Sequence, residues 1–474
     1  MSEIRFGTDG WRAVIAREFT FANVAIVSQA IAAYLREQGL APRGVLVGYD
    51  ARFLSEQFAA AVAEVMSSNG IPVWVADRDA PTPALAFHVL HRKTAGAVML
   101  TASHNPPEYH GIKFIPDYGS PALPEVTDRI ERLLRQPQAA PAKAKSALAD
   151  VASAKADAAP SFDPRPDYLA QLAKVVDLEV IRKARLQVKV DCMHGTARGY
   201  LDEILRQAGC EVEVLRGDRN PLFGGAQPDP SEANLQNLAS RVVSDSAHLG
   251  LAADGDGDRF GVIDPSGGYL SPNQVIALVA WQVRKTRYAT GSLARTVATT
   301  HLVDAIAAHF GLGLQETPVG FKYIGKALRE TDAIVGGEES GGLSIKGHIP
   351  EKDGILAGLL VAEMTAREGR SPLELLEAVQ QEVGHFCTRR LDLPLPEERK
   401  QALLDGLKSQ PPARLAAIAV AKVNLIDGVK LELENGEWLL ARPSGTEPLV
   451  RVYLEAATPE RLAALEAAAR ELVG

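Results

Sequence analysis

The sequence predicts an α/β protein built as four domains in series, three similar α/β domains followed by a C-terminal α+β domain. Two observations carry this. The chain has 474 residues, too many for one hydrophobic core, and at roughly 150 residues per domain it holds three or four. Three of its segments then share one plan: apolar strand, polar or Gly-containing turn, amphipathic helix, Gly, second strand.

The first such segment is GVLVGYD (44–50), a helix over 55–68, a stop at Asn69-Gly70, and IPVWVAD. The second is LQVKVD (186–191), a helix over 198–208, Gly209 and CEVEVLRGD. The third is TVATT (296–300), a helix over 302–310, Gly311 and LGLQETPVG. Gly just past a helix closes it in the left-handed conformation, and strand–helix–strand order reads as a βαβ unit. Residues 136–166 are rich in Ala and Pro and poor in large apolar side chains, a linker composition. After Gly384 the pattern changes. VKLELENGEWLLAR (429–442) places two strand-like runs around Asn435-Gly436, a type I′ hairpin signal, and LVRVYLEA (449–456) adds a strand. Thr458-Pro459 then caps a final helix, ERLAALEAAARELV. The predicted domains are 1–140, 167–260, 261–383 and 384–474.

Composition narrows the function. Hydrophobic residues at 46% and charged residues at 23% suit an ordinary water-soluble chain. A net charge of −8 argues against nucleic acid as a partner, since a phosphate backbone needs a basic face. Any phosphate such a protein binds must meet locally concentrated positive charge. Cys192, Cys210 and Cys387 form no CxxC pair and no disulfide framework, so they are expected as buried thiols in a reducing compartment. MSEIRFGTDGWRAV lacks a charged-then-apolar leader pattern, and no apolar run approaches the ~18 residues of a membrane span. The expectation is a cytoplasmic protein without a membrane partner.

Four stretches carry chemistry. In AGAVMLTASHNPPEYHGIKF (95–114) an apolar strand runs into Thr101-Ala102-Ser103-His104-Asn105, and Pro106-Pro107 prevents a helix from starting. Ser103 thus sits on a stiff loop at a strand's C-terminal end, where α/β domains place their sites; a plain turn bond from its hydroxyl is the alternative. In GLAADGDGDRFGV (250–262), Asp254, Asp256 and Asp258 alternate with glycines, so three carboxylates fall on one side of a loop able to curl. They repel unless a cation sits among them, and all-oxygen ligation suits Mg²⁺; a solvated acidic turn is the alternative. An EF-hand is excluded, because Arg259 and Pro265 stand where its Gly and Glu belong. VGGEESGGLSIKGHIPEKDG (335–354) sets Glu338 and Ser340 on a Gly-rich loop suited to sugar hydroxyls, with Lys352 in the polar turn that follows; an ordinary surface loop is the first alternative. In ARPSGTEPLVRVY (441–453), Arg442, Ser444, Thr446 and Arg451 surround Gly445, a phosphate-gripping composition, or else a simple turn between strands. Gly320 to Lys326 imitates a nucleotide P-loop, but Ala327 replaces the Ser or Thr that would hold magnesium.

Together TASHNPPEYHGIKF, ADGDGDRFG, GGEESGG and RPSGTEP occur in the order and spacing of the α-D-phosphohexomutases, and the resemblance covers nearly the whole chain. GTDGWR (7–12) resembles that family's N-terminal motif and would bring Arg12 into the active site. The resemblance implies four domains around a central cleft, with mixed sheets between helices in the first three and one active-site loop from each. It implies Ser103 as phosphoryl carrier, and Mg²⁺ on Asp254, Asp256 and Asp258 with an oxygen of phosphorylated Ser103. Arg259 would lie beside the metal, and Glu338 and Ser340 would contact the sugar. Arg442, Ser444, Gly445, Thr446 and Arg451 would clamp the phosphate that is not reacting. His104, Lys113 and Lys352 are the candidates for proton transfer. Glucose 1,6-bisphosphate is implied as intermediate and activator, and the protein as a monomer or weak homodimer.

GEES followed by HIPEKDG looks most like phosphoglucomutases; dual-specificity phosphomannomutases tend to show GEMSG, and phosphoglucosamine mutases a Gln in this loop. Gly341 departs from the aromatic residue that many glucose enzymes carry, which leaves mannose and glucosamine phosphates as alternative substrates. A sugar-phosphate phosphatase and a silent carbohydrate sensor are the rivals of other classes.

Overall fold

The computed structural model describes residues 4–7, 9–136, 159–443 and 449–473. Most of the Ala/Pro-rich linker lies outside them, as do Ser444, Gly445 and Thr446.

Four sheets organise the chain. Each of the first three contains the same four-strand unit: the first strand is flanked on either side by the second and third, both parallel to it, and the fourth runs antiparallel beside the third. In the first sheet these are Val45–Tyr49, Val73–Ala76, Gly96–Leu100 and Tyr109–Pro116. In the second they are Gln187–Asp191, Glu211–Leu215, Leu249–Ala253 and Phe260–Ile263. In the third they are Ser292–Thr296, Gly313–Thr317, Ala333–Glu338 and Gly342–Ile345. The sheets are therefore mixed, and helices pack between and around them. In the first unit the first strand, VLVGY, reads as a continuous apolar run because it is buried throughout. Each helix after a first strand ends at a glycine in the left-handed region, Gly70 (φ 72°), Gly209 (φ 80°) and Gly311 (φ 64°). There a Cβ would be strained.

Several expectations need correction. The third unit's first strand is Ser292–Thr296, not 296–300. Val297 and Ala298 are apolar because they pack against Trp438, Leu440 and Tyr453 of the last domain, and Thr299 Oγ1 meets Thr296 Oγ1 at 2.9 Å in a turn. The boundary drawn at 260 cuts the second sheet: Phe260–Ile263 pairs with Leu249–Ala253 and then with Tyr269–Leu270. At 159 and beyond the linker rejoins the first sheet, where Ser161–Phe162 pairs in parallel with Val75 and Ala76.

The last sheet is antiparallel throughout, six strands from Cys387–Pro394 to Leu449–Ala456 with helices Glu397–Ser409 and Pro459–Val473. Its hairpin at Asn435-Gly436 differs from the expected type I′ turn. Gly436 donates to Leu433 O, Leu433 donates to Glu437 O, and only Gly436 (φ 85°) has positive φ. That is a three-residue loop closed by a left-handed glycine. Buried polar groups lock this domain to the third. Lys430 Nζ donates to Val297 O (2.9 Å) and sits 4.0 Å over the Trp438 ring, while Glu455 accepts from Trp438 Nε1 (2.6 Å) and His301 N (3.0 Å).

Candidate active site

The same connection, between third and fourth strands, holds the candidate residues in all three repeated units. It holds Ser103 in the first, Asp254 to Arg259 in the second and Glu338 to Ser340 in the third. Repeating one topology thus aims three loops from equivalent strand ends.

Ser103 is buried and lies in the left-handed region at φ 51°, a conformation that costs a non-glycine residue on the order of 1 kcal/mol or more. Its surroundings hold it there. Ser103 N donates to Thr101 Oγ1 (2.8 Å), and Thr101 Oγ1 donates to Asp50 Oδ2 (2.6 Å). From beneath, the fully buried Arg52 collects the loop's carbonyls. Nη2 donates to Ser103 O (2.6 Å) and Asn105 O (2.7 Å), Nη1 to Pro106 O (2.8 Å) and Tyr109 O (2.9 Å), and Nε to Asp50 Oδ2 (3.1 Å). Burial pushes the Asp50 carboxyl up, against the pull of Arg52. Sequence reading missed Arg52, Asp50 and Thr101, because the contacts that join residues 50–52 to the Ser103 loop span more than fifty positions.

The Ser103 hydroxyl donates to Asp254 Oδ2 at 2.8 Å, across the seam between the first two domains. Asp254 Oδ1 caps its own loop, accepting from Asp258 N (2.9 Å) and Arg259 N (3.0 Å). Thr82 Oγ1 donates to Asp256 Oδ2 at 2.6 Å. One oxygen from each of Asp254, Asp256 and Asp258 lies within 4.8 Å of the others. Asp256 Oδ1 and Asp258 Oδ1 are buried without a hydrogen bond. A buried carboxylate oxygen left bare is costly, and a hard divalent cation satisfies two at once. The donor set fits Mg²⁺.

Two lysines balance this charge. Lys113 Nζ contacts Asp256 Oδ2 (2.9 Å), Asp258 Oδ2 (2.8 Å) and Asp9 Oδ2 (2.9 Å). Lys352 Nζ, from the third domain, reaches Asp9 Oδ2 and Asp258 Oδ2, both at 3.0 Å. Burial alone would lower both ammonium groups, but the carboxylates overcome it and hold them far above the usual range. Asp9 was not anticipated. His104 Nδ1 lies 3.3 Å from Ser103 Oγ. Burial, then Arg259 and Arg12, keeps its imidazole well below the usual value and therefore neutral. Arg12 Nη1 donates to Asn105 Oδ1 (2.7 Å), and Arg259 Nη1 lies 3.6 Å from Asp229 Oδ1.

Glu338 accepts from Ser340 Oγ at 2.7 Å, and a Cβ on Gly341 would meet Arg259 Cβ at 3.5 Å, so this loop abuts the cluster. Gly341 itself has φ 98°, which disfavours any larger residue there. Arg442 and Arg451 stand directly opposite each other on neighbouring strands of the last domain. Like charges so placed repel, an arrangement that favours an anion between them. Arg442 Nε donates to Asp427 Oδ2 (3.0 Å), and Arg451 Nε lies 4.0 Å from Asp392. Lys322, from the P-loop look-alike, is partly buried, and burial lowers its ammonium group against the pull of Asp9.

Changing Asp256 to Asn is expected to weaken Mg²⁺ binding at least as much as the ~10–100-fold that loss of an outer-shell partner costs. The fold should survive, since an amide oxygen still accepts from Thr82. Calorimetric titration with Mg²⁺ alone checks this, and an unchanged affinity would remove the metal from Asp256.

Four family models match in order: phosphoglucomutase/phosphomannomutase alpha/beta/alpha domains I, II and III over residues 3–140, 166–267 and 271–383, and the C-terminal domain over 396–472. A protein of Thermococcus kodakarensis named phosphoglucomutase/phosphomannomutase is 31% identical over 96% of this chain and 95% of its own length. One from Methanothermobacter thermautotrophicus, named as a probable phosphoglucosamine mutase, is 32% identical over 96% and 94%. The crystal structure of a Thermus thermophilus protein assigned as a phosphomannomutase superposes with a TM-score of 0.84 at 35% identity, covering 100% of this chain and 99% of that one.

Proposed function

The chain belongs to the phosphoglucomutase/phosphomannomutase family of α-D-phosphohexomutases, and on that premise we propose that it interconverts glucose 1-phosphate and glucose 6-phosphate through a phosphorylated Ser103. The observation that carries this reading is the 2.8 Å contact of the Ser103 hydroxyl with Asp254, inside a cluster of carboxylates and cations contributed by three domains.

Phospho-Ser103 passes its phosphoryl group to the free hydroxyl of a hexose monophosphate: the bond from phosphorus to the serine oxygen breaks and one to the sugar oxygen forms. The neutral His104 takes the hydroxyl's proton and hands it to the departing Ser103 Oγ, 3.3 Å from its Nδ1, and the second transfer runs the same path in reverse. Lys113 and Lys352, held protonated by their carboxylates, act as fixed cations rather than bases. When bound at Asp254, Asp256 and Asp258, Mg²⁺ supplies charge neutralisation at the transferring phosphoryl group. Arg442 and Arg451 hold the phosphate at the far end of the sugar. Reorientation of glucose 1,6-bisphosphate then presents its other phosphate to Ser103.

Glucose is favoured by GEES followed by HIPEKDG. The relatives' names divide among phosphoglucomutase, phosphomannomutase and phosphoglucosamine mutase, and a dual-specificity enzyme that also takes mannose is the second reading. A coupled assay with Mg²⁺ and a trace of bisphosphate decides between them: isomerisation of glucose 1-phosphate is expected to exceed that of mannose 1-phosphate. Equal or reversed rates reassign the sugar, and release of inorganic phosphate without glucose 6-phosphate makes the protein a phosphatase.

Glu338 reads the sugar's hydroxyls only when ionised. Burial, and then the neighbouring Glu339, push its carboxyl up to about 7. Its folded value thus lies above its unfolded one. The stability it lends as a neutral acid is complete below the unfolded value and is lost as pH rises through about 7, where the binding-competent carboxylate forms. KM for the hexose phosphate is expected to fall from about pH 6 to 8, and part of that fall should vanish in Glu338→Gln. Substrate phosphate ionisation is common to both proteins, so superimposable profiles would exclude Glu338 as the titrating group.

A further inference from the structure

A second cationic cavity opens where the first and second domains meet. It encloses about 510 Å³, within the roughly 300–1,000 Å³ of small-molecule pockets. The first domain contributes Arg78 and Asp79, from the stretch that follows strand Val73–Ala76. The second contributes Arg198, Tyr200, Asp202 and Arg206, and Arg165 opens the helix Arg165–Val175 between them. Four guanidinium groups face two carboxylates in a chain whose net charge is −8.

Both carboxylates are already committed. Asp79 pairs with Arg198, whose Nη1 also donates to Gly195 O, and Asp202 Oδ2 accepts from Arg206 Nη1 at 2.6 Å. Asp202 Oδ1 takes Gly199 N at 2.6 Å. Of the other two arginines, one is weakly held and one has no partner among the described residues. Arg78 comes no closer to a carboxylate than 3.4 Å from Asp77 and 3.8 Å from Asp163. The Arg165 guanidinium, about 3.5 Å from where a Gly199 Cβ would sit, has no hydrogen bond or ion pair among the described residues. Beside them Tyr200 is 1% exposed, and its hydroxyl has no hydrogen-bond partner. Tyr200 is among the residues that line the cavity, with its ring packed against the apolar core behind it. A buried phenol normally finds a partner, and here the protein offers none.

We infer that this cavity binds a phosphate-bearing small molecule, gripped by the guanidinium groups of Arg78 and Arg165 and by a hydrogen bond donated from Tyr200. Planar guanidinium forks match phosphate oxygens bidentately, and a buried phenol supplies the remaining donor. The cavity shares no lining residue with the aspartate cleft, so it stands or falls apart from the mutase reading.

Calorimetric titration of the intact protein with inorganic phosphate, and separately with glucose 6-phosphate, tests it. The wild type is expected to bind one more equivalent of at least one of these than the double variant Arg78→Ala/Arg165→Ala. Isomerase activity at low phosphate should be equal in the two. Loss of the extra equivalent with inorganic phosphate makes free phosphate the ligand; loss with glucose 6-phosphate alone makes it a sugar phosphate. Tyr200→Phe removes only an unpartnered oxygen, so the fold is retained while affinity at this site falls about five-fold, the worth of one hydrogen bond. Equal stoichiometry in wild type and double variant with both ligands, or unchanged affinity in Tyr200→Phe, overturns the proposal.

Discussion

Replacing Ser103 with Ala is expected to abolish phosphoenzyme labelling and to lower the rate of isomerisation by on the order of 10⁴-fold or more, the scale on which removal of a covalent nucleophile is felt. The geometry leaves no substitute. The nearest other hydroxyl on the loop, Thr101 Oγ1, donates to Asp50 and accepts from Ser103 N, so its proton and one lone pair are engaged. His104 lies beside Ser103 but is placed to exchange protons with it. The variant should fold, since alanine occupies the left-handed region at a cost similar to serine's, and the hydroxyl's bond to Asp254 is the chief loss. Labelling with a radioactive hexose bisphosphate, together with the coupled assay, checks both halves. Substantial turnover in the variant would send the phosphoryl carrier elsewhere and leave Ser103 a turn residue.

The largest effect on stability is expected at Arg52. Arg52→Met leaves the Asp50 carboxylate buried beside no cation and strips hydrogen bonds from the carbonyls of Ser103, Asn105, Pro106 and Tyr109. Breaking a buried pair by removing one partner costs about 3–5 kcal/mol, which corresponds to a fall in Tm on the order of 10 °C for a domain of this size. Activity should fall as well, because the strained Ser103 backbone loses what holds it. Asp50→Asn in the same protein removes the stranded charge and is expected to recover part of the stability. Thermal unfolding of the single and double variants measures this. A Tm for Arg52→Met within about 2 °C of the wild type would show that the loop is held by other means.

The contrast between Ser103 and Arg52 marks how far the residues themselves could be read. Ser103 and the three aspartates announce themselves locally, one by the proline pair that follows, the others by strict alternation with glycine. Arg52 sits in an unremarkable Asp-Ala-Arg-Phe stretch, and every partner except Asp50 and Phe223 comes from one loop more than fifty positions away. Asp9 is likewise silent in sequence and becomes informative only when the fold sets it between two lysines of different domains. The repeated units were legible through their first two strands and the glycine between them. Their third and fourth strands, which carry the site, were not aligned with one another, because their connections differ in length and composition. The misplaced strand at Val297 has a plain cause: apolar residues that seal one domain against another look the same in sequence as apolar residues inside a sheet.

The inward turning of the Ser103 loop has an electrical result. With four carbonyl oxygens converging on one guanidinium, the peptide dipoles of that loop are aligned, negative ends towards Arg52 and positive ends away from it. Two of those peptide bonds, at Asn105-Pro106 and Pro106-Pro107, have no N–H to offer. The loop therefore presents a favourable potential to an esterified phosphate but few amide bonds to tether it. A group so attracted and so lightly held is one that can leave.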